Sequence, residues 1–418
     1  MGLRIAPERR TRLDLIVTAV LVVAAVVVGV VVWAGSSARH SEADTAANAA
    51  EAPQPAEASP GDLEQVWSAP SAATSVPQLT ASSVVVADGG TVRALDPTSG
   101  DQRWRYHRDL PLCGSLAAWP GGEDLVVGVY RNSRGCSEVT ALNGGTGLRE
   151  AQRSSDADDT VALAFDGEYV MSAGPTRLET WGSNLVRGIE YGRVDAPVNP
   201  EVAPDRSNCR LYSALPGANR VAVIERCDGD FGYRLTVLGS AEDSDEKIVQ
   251  WGTTMLTQTS HGPAPRLVAG GPTSFSVYDP GTDDTGEVGR APGPSVRVFT
   301  PEVAAVATRP VAGVAAPAGS PSVDSGVVMF WTGLGTLVLD GNSGNVLFEV
   351  TGTVGTGAVM AGELLLPMPG RISVRQLSDG RESRSIPVDR GNYDGNVALR
   401  VLGDTVLEQR GPTVVGLR

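Results

Sequence analysis

The sequence predicts an all-β fold, an eight-bladed β-propeller, preceded by one N-terminal transmembrane helix. Three features indicate this: an apolar run near the N-terminus, short alternating strands joined by Gly-rich turns, and an approximate repeat of that hairpin unit along the chain. Repetition of small antiparallel units around a ring is the construction of a propeller. A seven-bladed ring, with one hairpin misassigned, is the alternative.

The overall composition fits many short strands and argues against some partners. The chain has 418 residues, more than one compact core usually supports, with Gly 50 and Pro 28. Its formal net charge of −14 disfavours a nucleic-acid backbone as a partner. Of the 34 Lys and Arg residues, only Lys247 is a lysine, and such a preference for arginine is typical of high-G+C coding sequence.

The N-terminus carries the membrane signal. Leu15–Ala34 contains no charged residue, and about 20 helical residues span a hydrocarbon core of about 30 Å. Four arginines within residues 1–12 predict a cytoplasmic N-terminus, followed by a transmembrane helix over 13–34. A cleaved signal peptide is the alternative, although its apolar region is usually about 7–15 residues long.

Residues 35–62 are rich in Ala, Ser, Pro and Glu and show no apolar period. Such a segment buries too little apolar surface to fold, so it is predicted to be a disordered extracytoplasmic linker. The propeller domain, residues 63–418, would then lie outside the cell membrane on a single-pass anchor.

The repeated unit is clearest at Ser83–Trp104. Strands Val84–Ala87 and Thr91–Leu95 flank the tight turn Asp88-Gly89-Gly90, and the turn Asp96–Gly100 leads to a strand holding Trp104. Gly-Gly between alternating apolar runs is a hairpin signal because glycine adopts positive φ freely. Further hairpins are predicted at 125–142, 169–181, 221–238, 266–278, 327–339, 363–376 and 405–417.

The two ends of the domain are predicted to pair. The last hairpin, Thr405–Leu417, lacks an outer strand, whereas Leu63–Ser68 has the character of an outer strand and no partners. A propeller closes when its first segment completes its last blade. Arg290–Ser325 has the weakest pattern; Val303–Ala307 is predicted as an inner strand of the sixth blade and the remainder as loop.

Four cysteines in an exported domain are expected to form disulfides. Cys113 and Cys136 bracket one strand–turn–strand segment, and Cys209 and Cys227 bracket another of the same shape. In an antiparallel meander such ends lie close together, so each pair is predicted to bond within its own blade. Neither Cys-x-x-Cys nor nearby histidines occur, so no metal site is predicted.

At these turns the chain resembles a known family. Ala94-Leu95-Asp96, Ser99-Gly100 and Trp104 resemble the tryptophan-docking repeat of pyrroloquinoline-quinone (PQQ)-like propellers, as does Ala141–Gly147. That family includes dehydrogenases and non-enzymatic propellers such as the assembly lipoprotein BamB. The resemblance implies an anchored, extracytoplasmic member from a high-G+C Gram-positive envelope. Its enzymes carry adjacent cysteines beside the cofactor, which this chain lacks, so no cofactor is expected.

No catalytic constellation is predicted. His40, His107 and His261 lie in separate segments, and Gly352–Gly357 precedes a strand and lacks the lysine of a phosphate-binding loop. The catalytic, cofactor-binding and metal-binding residue sets are therefore all expected to be empty, and the chain is predicted not to be an enzyme.

Acidic runs supply the candidate binding residues. The runs at 241–247 and 281–287 are predicted in turns before outer strands, and hence on one face of the ring. The candidates on that face are Glu242, Asp243, Asp245, Asp283 and Asp284. The alternative is ordinary turn chemistry, since aspartate favours turns. A third run, Asp156–Asp159, is predicted on the opposite face without the full calcium-loop pattern.

The predicted function is that of a protein–protein interaction scaffold or accessory subunit in cell-envelope assembly, with other envelope or membrane proteins as partners. Recognition of a cell-wall glycan or small ligand at the central funnel is the alternative, with Trp119 as the best aromatic candidate. A PQQ-dependent dehydrogenase ranks third.

Overall fold

The computed structural model describes residues 11–36, 39–195, 206, 208–257, 262–281, 293–317 and 319–418. Within these ranges the strands form eight antiparallel sheets, seven of four strands and one of five. The chain is therefore an eight-bladed β-propeller, as predicted, with one apolar helix before it.

The elements follow in chain order. Helix α1 is Arg12–Ala34, and strands β1 Ser41–Asp44 and β2 Gln65–Pro70 precede the first blade. Blade 1 contains β3 Gln78–Leu79, β4 Val84–Asp88, β5 Thr91–Leu95 and β6 Gln102–Arg108, and blade 2 contains β7 Leu112–Ala118, β8 Leu125–Asn132, β9 Gly135–Asn143 and β10 Arg149–Ser154. Blade 3 contains β11 Ala162–Phe165, β12 Val170–Ala173, β13 Arg177–Trp181 and β14 Arg187–Gly192, and blade 4 contains β15 Cys209–Pro216, β16 Arg220–Cys227, β17 Arg234–Glu242 and β18 Ile248–Met255. Blade 5 contains β19 Arg266–Gly270, β20 Phe275–Asp279, β21 Ser295–Phe299 and β22 Ala305–Pro310, and blade 6 contains β23 Ser322–Asp324, β24 Val327–Trp331, β25 Gly335–Asp340 and β26 Val346–Thr351. Blade 7 contains β27 Ala358–Met360, β28 Glu363–Met368, β29 Arg371–Gln376 and β30 Glu382–Pro387, and blade 8 contains β31 Val397–Leu402, β32 Thr405–Arg410 and β33 Thr413–Leu417.

Helix α1 has the length and composition of a membrane-crossing helix. Its 23 residues extend about 35 Å at 1.5 Å each, and none of its side chains is buried. The Thr11 hydroxyl accepts from the Asp14 N–H at 3.2 Å, and the Asp14 carboxylate accepts from the Thr11 N–H at 2.8 Å, a reciprocal cap that begins the helix. A signal sequence has these same properties.

The ring closes as predicted. β2 completes blade 8 by antiparallel pairing with β33, with Ser68 opposite Val415 and Pro70 opposite Thr413. Two backbone hydrogen bonds between Glu64 and Arg418, at 2.7 and 3.0 Å, extend this pairing to the C-terminal residue. The first strand of the domain therefore holds its last blade, which leaves no open seam in the ring.

The core lies between neighbouring blades. Val84, Val85 and Val86 of β4 are all at most 1% exposed, although consecutive side chains on a strand point to opposite faces. Both faces of the sheet are thus covered, because each blade packs against a blade on either side. This explains why the inner strands read as continuous apolar runs rather than as alternating patterns.

Blade 5 differs from the prediction. The hairpin at 266–278 forms its first and second strands, β19 and β20, and β21 and β22 complete it. Val303–Ala307 therefore does not supply blade 6, whose inner strand is β23. The reason is the long connection between β20 and β21, most of which (282–292) lies outside the described residues. It separates the two halves of the blade in sequence, so the hairpin pattern assigned them to different blades.

The predicted disordered linker is also corrected over residues 39–62. β1 pairs antiparallel with β6, and the Ala46 N–H donates to the Thr146 carbonyl at 3.0 Å. Further along, the Arg384 guanidinium donates to the Pro60 carbonyl at 2.6 Å, beside Ser59, which is buried. The composition predicts disorder because the segment has few apolar side chains to bury, whereas the segment is held by main-chain pairing and by polar side chains of the propeller, such as Arg105 with Glu42.

Both predicted disulfides are present, Cys113–Cys136 within blade 2 and Cys209–Cys227 within blade 4. Cys209 and Cys227 are direct cross-strand partners of β15 and β16. Each disulfide closes a short loop within one blade, which limits the conformations of the unfolded chain.

Candidate functional site

Strand order assigns every connection to one of two faces. The turns between strands one and two and between strands three and four of each blade share one face, here called the turn face, which includes residues 96–101 and 243–247. The opposite face, here called the loop face, carries the turns between strands two and three of each blade and the links from one blade to the next. It includes residues 155–161 and 174–176. Each candidate residue can be placed on one of them.

The acidic turn at 243–247 is on the turn face, as predicted. The Asp243 carboxylate accepts from the N–H groups of Asp245 and Lys247 at 2.9 and 3.0 Å, so it forms the turn. Glu242 and Asp245 are exposed, with Lys247 3.8 Å from Asp245. Two carboxylates thus remain free of the turn's own hydrogen bonds at the start of β18.

The equivalent turn of blade 6 uses its aspartate in the same way. The Asp340 carboxylate accepts from the N–H groups of Ser343 and Asn342 at 2.7 and 3.2 Å. These donors, the Ser343 N–H foremost, hold the pKa of Asp340 below its ordinary value. The aspartates at the start of these turns therefore act in turn formation, which was the alternative interpretation of the acidic runs.

Asp283 and Asp284 lie outside the described residues. The run that contains them was expected to precede an outer strand, but Gly281 follows β20, the second strand of blade 5. The connection that begins at Gly281 therefore leaves β20 on the loop face, opposite to residues 243–247, and the prediction that the run directly precedes an outer strand is wrong. The misplacement has the same cause as the error in blade 5.

The third acidic run is on the loop face, as predicted, and two of its three carboxylates, those of Asp156 and Asp158, are paired. Asp156 is paired with the Arg193 guanidinium at 2.5 Å. Asp158 accepts from the N–H and the hydroxyl of Thr176 at 2.7 and 2.6 Å, and from the Arg177 N–H at 3.0 Å. These contacts join blades 2 and 3 and give the run a structural role.

The histidines that the structure describes meet at the edge of blade 1. His107 on β6 lies 3.2 Å from one oxygen of Asp109, and His40 lies 3.0 Å from the other. His261 lies outside the described residues. The sequence separates His40 and His107 by 67 positions, and pairing of β1 with β6 brings them together. The cluster is exposed and not enclosed in a cleft.

Within the described ranges one group of potential metal ligands comes together, Cys209, Glu225 and Cys227. Its two sulfur atoms form a disulfide, so no thiolate is free there. Glu225 is fully buried and accepts from the Tyr191 hydroxyl at 2.9 Å and the Thr236 hydroxyl at 2.8 Å. Burial, together with the Glu225 carboxylate, raises the pKa of Tyr191, which keeps its donor proton in place.

Trp119, the predicted sugar-stacking residue, is 8% exposed. Its indole N–H donates to the Glu168 carbonyl at 2.8 Å, and its ring packs edge-on against Phe165 at 5.3 Å. It fills the interface between blades 2 and 3 and presents no ring face to a ligand.

The outer edges of the blades are the most distinctive surfaces. The edge of β6 is covered by β1, whereas no strand among the described residues pairs with the outer edge of β18. β18 is eight residues long, carries no charged residue, and exposes Val249, Trp251 and Met255 by 38–40% each. No other described outer strand exposes more than one large apolar side chain.

This edge is unusual because proteins normally protect edge strands with charge. β10 carries Arg149, Glu150 and Arg153, and β30 carries Glu382 and Arg384. On β18 only the Arg220 guanidinium covers an exposed ring, lying 4.1 Å from the centroid of Trp251. The sequence predicted an outer strand directly after the acidic run at 241–247, but its edge was not identified as a site. The sequence feature that indicates this site is the absence of charged residues from the outer strand that follows the acidic run.

Comparisons with known proteins agree on the fold. No protein-family model matches the chain, and no curated protein matches its sequence. The chain is similar to the crystal structure of BamB from Moraxella catarrhalis, with 13% identity, 85% of this chain and 99% of that chain covered, and a TM-score of 0.51. A second similar structure is dihydro-heme d1 dehydrogenase NirN in complex with DHE, with 16% identity, 78% and 67% coverage, and a TM-score of 0.48. At such identities the shared feature is the propeller fold.

Proposed function

We propose that this chain is a membrane-tethered propeller that acts as a protein-interaction scaffold, and that it binds an extended segment of a partner protein along the edge of β18. The observation that carries this is the uncharged, eight-residue edge of β18 with its three exposed apolar side chains. An open edge offers unpaired N–H and carbonyl groups that add a strand, and side-chain contacts then supply specificity.

The molecule itself shows strand addition at an outer edge. β1 joins blade 1 as a fifth strand through antiparallel pairing of Ser41–Asp44 with Arg105–Arg108. Side chains add to this attachment, since Glu42 pairs with the Arg105 guanidinium at 3.0 Å and Asp44 accepts from the Gln102 amide at 3.3 Å. A propeller edge of this chain therefore accepts an extended segment through main-chain pairing and polar side-chain contacts, and on β18 the contacts would be apolar.

The chemistry of the partner segment follows from the residues along the edge. Apolar side chains on the partner would cover Val249, Trp251 and Met255, which buries surface worth about 25 cal/mol per Å². Glu242 and Asp245 lie at the start of β18 and favour a basic residue at that end of the partner. We therefore expect an extended apolar segment flanked by Arg or Lys.

The cellular setting is part of the proposal. The length of α1, the arginines before it and the two disulfides support an uncleaved anchor with a cytoplasmic N-terminus and an extracytoplasmic propeller. Envelope or membrane proteins are then the accessible partners. No catalytic step is assigned, in keeping with histidines at an exposed edge and cysteines engaged in disulfides.

Site-specific photo-crosslinking in membranes tests the proposal. A benzophenone amino acid replaces Trp251 in the full chain, and a matched probe replaces Leu347, which is 44% exposed on the outer strand β26. We expect an adduct from position 251 whose crosslinked peptide is apolar and flanked by basic residues. Amide hydrogen exchange along β18 should slow when that peptide is added. Equal crosslinking at both positions, or binding without protection of β18, would contradict the proposal.

A further inference from the structure

A second surface feature lies on the loop face, between blades 3 and 4. It is a concave site of about 420 Å³, within the range of small-ligand pockets. Pro175 and Thr176 of blade 3 form one wall, and Arg210, Tyr212 and Arg226 of blade 4 form the other. Blade 4 contributes from its first two strands, β15 and β16.

Two arginines lie side by side in the blade 4 wall of this site. Arg210 and Arg226 are direct partners in the β15–β16 ladder, an arrangement of like charges that is destabilising by itself. Among the described residues neither has a carboxylate within 4.0 Å. The contrast within blade 4 is clear, because Arg234 is paired with Asp230 and Arg206 with Glu225. The site therefore combines two guanidinium groups with one carboxylate, that of Asp228, and is locally positive in a chain of net charge −14.

The two guanidiniums are held in place. Both lie over the ring of Tyr212, Arg210 at 5.5 Å and Arg226 at 5.9 Å from its centroid. The Cys209–Cys227 disulfide, one residue away on each strand, joins the two strands covalently. Ordering charged side chains before binding lowers the entropic cost of binding an oppositely charged group.

We propose that this site binds a small molecule through a carboxylate or phosphate group, which lies between the guanidiniums of Arg210 and Arg226. Guanidinium groups match the planar oxygen pairs of carboxylates and phosphates. The bound anion offsets the repulsion between the two guanidinium groups, so that their proximity no longer destabilises the folded chain. The Asp228 carboxylate also lines the site and is a hydrogen-bond acceptor, which favours a ligand with a hydroxyl or amino group beside its anionic group.

Calorimetry with the full chain in detergent at low salt tests this, with inorganic phosphate and glucuronate as separate probes. We expect saturable millimolar binding of at least one probe, and the tighter one indicates whether phosphate or carboxylate is the natural group. Arg210→Ala and Arg226→Ala should each weaken binding about tenfold or more. The matched control Arg381→Ala, in an exposed turn of blade 7, should leave the affinity unchanged.

A second measurement does not depend on the ligand. Arg226→Glu places opposite charges across the ladder, so it should raise the melting temperature in ligand-free buffer while abolishing anion binding. Absence of saturable binding by the native chain, or equal weakening by Arg381→Ala, would overturn the proposal.

Discussion

The indole N–H of Trp67 donates to the carbonyl oxygen of Pro97 at 2.9 Å, across the seam where the ring closes. Trp67 belongs to β2, the outer strand of blade 8, and Pro97 to the turn that precedes the outer strand of blade 1. Trp104 repeats this relationship one blade further on, donating to the Gly144 carbonyl at 2.8 Å. At these two junctions an indole thus ties an outer strand to the turn of the next blade.

Removal of the seam contact should destabilise the domain. Trp67→Ala leaves a cavity beside Gly100 and an unpaired Pro97 carbonyl, with an expected loss of about 3–5 kcal/mol in the free energy of unfolding. Trp67→Phe keeps most of the packing but removes the indole N–H that donates to the Pro97 carbonyl. Loss of this hydrogen bond should lower the free energy of unfolding by about 1 kcal/mol. Urea denaturation measures both. Trp251→Ala, on the exposed edge, is the control, and a similar loss there would contradict the assigned role of the seam.

Gly147 should tolerate no side chain. Its φ is +74°, and a Cβ there would lie 2.8 Å from the ring of Trp104. Gly121 has nearly the same φ, +78°, with open space around it. Gly121→Ala should therefore cost only the backbone penalty of about 1–2 kcal/mol, and Gly147→Ala distinctly more. Thermal unfolding of the two variants compares them; equal losses would show that the turn does not press against the indole.

Attachment of β1 to blade 1 should be separable from propeller stability. Ala43→Pro removes an N–H and disturbs the strand, so the β6 amides on that side should exchange faster while the melting temperature changes little. Ala47→Pro, at an exposed position after the strand, is the control. Unchanged exchange in β6 after Ala43→Pro would mean that β1 does not pair there in solution.

Acid sensitivity should come partly from the aspartate turns. The folded-state pKa of Asp340 is lowered, so its contribution to stability is complete above the unfolded-state pKa of about 4 and is lost as pH falls through the lower folded value. Asp340→Asn preserves an acceptor for the turn but does not titrate. Melting temperatures measured from neutral pH to strong acid should therefore fall less steeply in this variant than in the native chain. A parallel fall in both proteins would assign the acid sensitivity elsewhere.

Reduction of the blade 4 disulfide should weaken the proposed anion site more than the rest of the fold. Cys209→Ser with Cys227→Ser frees β15 from β16 next to Arg210 and Arg226, and should cost about 3 kcal/mol of stability or less. Calorimetry with phosphate should then show weaker binding. The matched Cys113→Ser with Cys136→Ser variant, in blade 2, should lose stability without loss of affinity.

Local sequence determined much of this protein: the apolar helix, the hairpins, the disulfide pairs, and closure by Leu63–Ser68, because each depends on neighbouring residues or on a strand left without a partner. Tertiary structure decided what depends on distant surfaces. It placed β21 and β22 in blade 5 across a long connection, attached β1 to β6 through main-chain groups that composition does not register, and buried Trp119. It also left the edge of β18 open and set Arg210 opposite Arg226, since exposure and cross-strand register exist only once the blades are packed.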